Sequence, residues 1–122
     1  MTDSAFARQL EKLRRARPGL IDLITVYTII MFLWDLQKAS TNLKKHQVSF
    51  EEAVTAFSDP EGLEWEDQSS QSEKRWKRIG ASSESRLLLV VYTVRRTKDD
   101  KETIRIISAR EASRKDRKAY LG

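Results

Sequence analysis

Residues 86–108 read RLLLVVYTVRRTKDDKETIRIIS, and the way this stretch folds decides the architecture. Arg86 to Arg95 form an almost continuous β-rich run, the pattern of a central strand covered on both faces. TKDDKE is a polar hairpin loop, and TIRIIS returns as the last strand. Arg105 alternates with Ile104 and Ile106, so it points to the opposite sheet face. A buried guanidinium without a partner is costly, because its charge is stripped of water. Arg105 must therefore pair with a carboxylate, reach the rim, or line a groove. A structural ion pair is the plain alternative to a functional role.

Downstream, AREASRKDRKAY reads as a closing helix. Arg114, Lys115, Arg117 and Lys118 lie on its polar arc, and Arg110 stands at the strand-to-helix junction near Ser108. Upstream, EKRWKRI (Glu73–Ile79) alternates loosely as a strand, and GLEWE at 62–66 reads as a further short one. SFEEAVTAF at 49–57 is a helix, with Phe50, Ala53, Val54 and Phe57 at i, i+3, i+4, i+7. Its Ser49 and Glu52 have capping-box spacing, and SDP at 58–60 stops it. FLWD at 32–35 is a short strand entering another helix, with Asp35 as N-cap. The expected architecture is α+β: two N-terminal helices packed on an antiparallel sheet of three to four strands, followed by a C-terminal helix.

The 122 residues suffice for one small domain. Without cysteine there is no disulfide, CxxC redox site or cysteine-based zinc site, and one histidine excludes a two-histidine ribonuclease mechanism. Residues 73–122 carry fifteen Lys/Arg against seven Asp/Glu, whereas residues 32–72 carry three against eight. A basic C-terminal half suits an anionic partner such as nucleic acid, although solvated basic surfaces are also common. Residues 2–17 read as a short basic helix broken at RPG. The fifteen-residue run Leu20–Trp34 is shorter than a membrane span and lacks a following cleavage site, so no membrane anchoring is expected.

Neither a phosphate loop, a dinucleotide fingerprint, a serine-nucleophile elbow nor a metal box is present, and no metal or cofactor is expected. The best candidate chemistry is a metal-free, arginine-rich phosphate site. RNA cleavage runs this way when the substrate's 2′-hydroxyl attacks the adjacent phosphate, and cations stabilise the growing charge. Glu73 and Arg75 are two apart on the expected strand and share a face, as base and cation or as a surface ion pair. Tyr92 shares the parity of Leu88, Val90 and Val94, where core packing is its default role. His46 ends the first helix, where a cation suits the helix dipole.

FLWD, KKHQVSFEEA, EKRWKRIG, VVYT and IRIISAR occur in order between about Met31 and Tyr120. Together they resemble the BrnT toxin family. The resemblance implies a RelE-like fold and a ribonuclease that inhibits translation. It also implies a cognate ribbon-helix-helix antitoxin, BrnA-like, whose complex with the toxin binds promoter DNA through the antitoxin. Such a protein acts in the cytoplasm. By position, the family's recurrent polar residues fall on His46, Glu73, Arg75, Tyr92, Arg105, Ser108 and Arg110. Arg75, Arg105 and Arg110 are the expected phosphate ligands, Glu73 the base, and His46 or Tyr92 the acid. Ser108, Arg114, Lys115, Arg117 and Lys118 are the expected RNA contacts. Gln47 stands where the family has glycine, and Glu111 where a lysine is usual. Family members usually begin near the position of Met31, so residues 1–30 read as an extension and 31–122 as the toxin domain. The competing readings are a non-catalytic module that binds antitoxin or nucleic acid, and a membrane-associated protein using the apolar run.

Overall fold

The computed structural model describes residues 32–96 and 102–122. The expected N-terminal extension, most of the apolar run and most of the TKDDKE loop lie outside the described residues. The chain runs β1 (Phe32–Trp34), α1 (Leu36–His46), α2 (Phe50–Thr55), a 3-10 turn (Ala56–Ser58), β2 (Leu63–Asp67), β3 (Arg75–Ala81), β4 (Leu87–Arg96), β5 (Glu102–Glu111) and α3 (Arg114–Leu121).

The strands form one five-stranded sheet in the order β1-β5-β4-β3-β2. β1 is parallel to β5, and the other pairings are antiparallel. The expectation of a purely antiparallel sheet of three to four strands is corrected in both respects. Both edge strands, β1 and β2, are very short, and β1 finds its partner across nearly the whole domain. Alternation reveals a strand but not its neighbour.

A second correction concerns the last strand. It runs through Arg110 to Glu111, and the closing helix begins only at Arg114. A register shift explains the length. Tyr92 pairs with Ile106 and Val91 with Ser108, so Ile107 is the extra residue of a β-bulge. Beyond it Ser108, Ala109, Arg110 and Glu111 pair with Val91, Val90, Leu89 and Leu88. α3 then starts on a complete capping box, in which the Ser113 hydroxyl accepts from the Asp116 N–H and the Asp116 carboxylate from the Ser113 N–H.

α1 and α2 cover one sheet face. Phe32, Val48, Phe50, Ala53, Ala56, Leu88, Val90, Ile106 and Ala109 form its core. Phe57 meets Phe32 and Tyr92 edge-on, with ring centroids 5.1 and 5.0 Å apart. Gly80 permits a close approach: a Cβ there would clash with the Ala56 carbonyl oxygen. β1 covers β5 only at residues 104–106, and Asn42 of α1 takes over beyond it. Its Nδ2 donates to the Ala109 and Val48 carbonyls at 2.8 and 3.0 Å, and its Oδ1 accepts from the Ala109 N–H at 3.1 Å. A buried amide thus acts as one more residue of sheet pairing, satisfying backbone groups that would otherwise be stranded.

Glu52 departs from its expected role. The Ser49 hydroxyl accepts from the Glu52 N–H at 3.0 Å, but the carboxylate turns inward. Arg86 donates Nε to Oε2 at 2.8 Å and Nη2 to Oε1 at 2.6 Å, and the Ser82 hydroxyl adds a third bond at 2.6 Å. Arg86 also donates to the Gln47 carbonyl at 2.7 Å and reaches Glu111 at 3.3 Å. One guanidinium therefore joins α1, α2, the β3–β4 turn and β5. Gln47 caps α1 in the left-handed region, at φ 60°. That conformation costs a non-glycine residue about 1 kcal/mol.

Candidate active site

The sheet face turned away from α1 and α2 carries the candidate site. α3 covers only one end of it, where Ile79, Leu87, Leu89 and Ala112 pack with Tyr120. Tyr120 is anchored by its hydroxyl, which donates to Asp59 at 2.7 Å.

Cross-strand register places the polar residues. Thr93 pairs with Arg105, and Arg105 with Leu33. Arg75 pairs with Asp67 and lies one step beyond the Trp76–Tyr92 pair, which brings it beside Thr93. One row across the sheet therefore reads Asp67, Arg75, Thr93, Arg105, Leu33. The next row on the same face reads Trp65, Lys77, Val91, Ser108. Arg110 follows opposite Leu89. Unbroken alternation from Arg105 would have put Ile107 and Ala109 on this face. The bulge at Ile107 puts Ser108 and Arg110 there instead.

Thr93 is flanked in the sheet by Arg75 and Arg105. It is only 3% exposed, and its hydroxyl has no hydrogen-bond partner among the described residues. The Arg75 Nε is likewise buried and unpartnered. Arg105 makes no ion pair or hydrogen bond with a described residue. It does act through space on Asp35, whose carboxyl is held below the usual range chiefly by the Lys38 N–H, with the Arg105 charge contributing. Native structures leave few buried polar groups unpaired, so two such atoms in one row make it a candidate site.

Glu73 lies in the bend before β3, not on the strand as expected. Its carboxylate is 3.9 Å from Arg75 and 3.5 Å from Arg95, so it still faces the row. Arg110 is tied to α3 by a 2.9 Å bond to Asp116. Burial pushes Asp116 up, but the Ser113 N–H and hydroxyl and the Arg110 guanidinium together hold it below the usual carboxylate range. Arg114, Lys115, Arg117 and Lys118 are exposed on α3, where Arg117 reaches Glu111 at 3.7 Å.

The structure thus places Arg75, Arg105, Ser108 and Arg110 on one sheet face, in three successive rows, with Glu73 beside Arg75. It does not bring Tyr92 or His46 to them. Tyr92 projects into the helix-covered face, where its hydroxyl donates to Glu64 at 2.6 Å. Burial first, and then Glu64, push the phenol well above its ordinary range, which suits a structural hydrogen bond better than proton transfer. Glu64 also pairs with Arg78 at 3.2 Å. Arg78 in turn bonds the Ala56 and Asp59 carbonyls, at 2.9 and 2.7 Å. His46 ends α1 and makes no hydrogen bond or ion pair with the described residues of the row. Glu111 takes the parity of its partner Leu88, opposite to Arg110, and is engaged by Arg86 and Arg117.

Sequence reading missed Thr93 and Arg95. Thr93 had a visible signal: it is the one small polar residue of the β4 run, and its parity is that of Leu89 and Val91. Among the described residues no cluster of His, Cys, Asp and Glu could hold a metal ion, and no helix is long and apolar enough to cross a membrane.

No curated protein matches the chain. Among solved structures, the Brucella abortus ribonuclease toxin BrnT is similar at 21% identity with a TM-score of 0.49, covering 69% of this chain and 99% of that one. The family described as the ribonuclease toxin BrnT of type II toxin–antitoxin systems matches residues 34–116. That span holds Glu73, Arg75, Thr93, Arg105, Ser108 and Arg110, and it is more than half of the sequence. The chain belongs to the BrnT family of type II toxin–antitoxin ribonuclease toxins, and so has an antitoxin as its family partner.

Proposed function

We propose that this toxin cleaves RNA without a metal ion, using the Arg75–Thr93–Arg105 row as its phosphate site. The observation that supports this most is the unpartnered Thr93 hydroxyl, flanked in the sheet by two arginines, one with a buried free Nε. The half-buried Arg75 and Arg105 offer the guanidinium donors that a phosphate accepts from, and the buried Thr93 hydroxyl and Arg75 Nε join them once the side chains shift on binding. Glu73 takes the proton from the ribose 2′-hydroxyl, the new O2′–P bond forms, and the P–O5′ bond breaks. The departing oxygen receives the proton back from Glu73 or water. The products are a 2′,3′-cyclic phosphate and a 5′-hydroxyl. Arg75 and Arg105 stabilise the phosphorane, and Arg110 meets the charge on the leaving side. Tyr92 and His46 serve the fold. Ser108 and the cations of α3, Arg114, Lys115, Arg117 and Lys118, guide the RNA backbone.

Residues 31–122 form the toxin domain, with residues 1–30 as an extension. The protein acts in the cytoplasm by inhibiting translation. Its antitoxin is a ribbon-helix-helix protein that carries the complex to promoter DNA. Induced expression of residues 1–122 should cut radiolabelled amino-acid incorporation within one doubling, and co-expression of a ribbon-helix-helix antitoxin should restore it. Undiminished incorporation at confirmed expression would instead identify a non-catalytic binding module.

A further inference from the structure

Trp65 is an indole on a cationic face with no role in the core. It is 39% exposed, and Leu63, two residues before it on edge strand β2, is 37% exposed. Trp65 pairs with Lys77, one row from the Arg75–Asp67 pair. It therefore lies diagonally across from Arg75, about 7–8 Å away in Cα terms. Of the acidic residues of β2, Asp67 alone shares this surface. Glu64 takes the opposite parity and is engaged by Arg78 and Tyr92, and Glu66 pairs with Lys74 at 3.8 Å. Asp67 shares the face, where it accepts from the Ser69 hydroxyl and N–H at 2.6 and 3.0 Å and its charge also acts on Lys77 and Arg75, offsetting part of their field.

An exposed aromatic face beside Lys77, one nucleotide's reach from a phosphate site, has the elements of a single-strand platform. Bases stack on aromatic side chains while cations follow the backbone. We infer that Trp65 and Lys77 form a nucleobase subsite, in which the base next to the scissile phosphate stacks on the indole and Lys77 contacts the neighbouring phosphate. The inference rests on the phosphate site proposed above. It adds the substrate class: RNA presented single-stranded, because a paired base has no free face to offer.

The test is equilibrium binding of an uncleavable all-deoxy single-stranded oligonucleotide to full-length protein. Trp65→Ala should weaken binding at least about tenfold, and Trp65→Phe should retain most of it. In the wild type, one abasic position in the oligonucleotide should cause a similar loss, and that loss should vanish in Trp65→Ala. This comparison within each protein is independent of any change in stability. If the wild type binds and Trp65→Ala binds equally well, the subsite is refuted while the phosphate site stands. A Trp65→Ala protein that loses only antitoxin affinity would make Trp65 a protein contact and also refute the subsite. A wild type that binds no oligonucleotide would overturn both.

Discussion

Arg105→Ala is expected to lower the single-turnover rate of RNA cleavage by about 10²–10³-fold, the loss typical of one donor to a developing oxyanion. The fold should survive, because Arg105 has no hydrogen bond or ion pair with any described residue, and its removal strands no buried partner. A guanidinium held half-buried beside an unpartnered threonine contributes to the folded state less than it costs in desolvation. Thermal unfolding of Arg105→Ala should therefore match or exceed that of the wild type while cleavage collapses. Arg105→Lys should recover only part of the rate, since a point charge does not replace a planar fork. Arg110→Ala is a poorer probe, because it also releases Asp116 from a 2.9 Å bond and so disturbs the start of α3. Full cleavage by Arg105→Ala would remove Arg105 from the site.

The largest effect on stability is expected at Arg86. Arg86→Met leaves Glu52 buried, 7% exposed at its side chain, with one hydroxyl donor in place of a bidentate guanidinium. Breaking a buried pair from one side costs about 3–5 kcal/mol, a large share of the roughly 5–15 kcal/mol that holds a domain together. The pH dependence separates this cause from simple loss of packing. In the wild type the Arg86 bond, opposed by burial and aided by Ser82, keeps the Glu52 carboxyl below its usual 4.5. Its stabilising contribution is then complete above that value and fades as pH falls through the lowered one. In Arg86→Met burial dominates, the folded pKa rises above the unfolded one, and the slope reverses. The deficit should be greatest near pH 7 and shrink on acidification. Urea unfolding between pH 7 and pH 5 follows the limb of the variant, unfolding below pH 4.5 follows that of the wild type, and Arg86→Met/Glu52→Leu should recover much of the loss.

What was legible in the sequence was local. Asp35 and Ser49 cap the helices they precede, because capping depends on residues three apart. The β4 run reads as a central strand because its apolar length admits little else. Arg105 could be assigned to a sheet face by alternation with two isoleucines. What was not legible depends on long-range pairing. β1 lies parallel to a strand some seventy residues later in the chain, from Phe32 to Ile104. The bulge at Ile107 breaks the very alternation that sequence reading relies on, and only that break carries Ser108 and Arg110 to the face of Arg105. Tyr92 and Glu64 were separable only once their 2.6 Å bond placed both on the helix-covered side. Glu52 has capping-box spacing, yet Arg86, thirty-four residues away, takes its carboxylate. Asn42 gave no signal, since an asparagine in a polar helix looks solvated until its strand edge is known.

The phosphate row is tested most directly by cleavage of a single-stranded RNA by purified protein in excess EDTA, beside the same RNA with one 2′-deoxy residue at the cut site. Cleavage of the first to a 2′,3′-cyclic phosphate and a 5′-hydroxyl, with the deoxy strand intact at that position, is the predicted result. Activity that disappears in EDTA and returns with a divalent cation, or a deoxy strand cut at the same site, would contradict it.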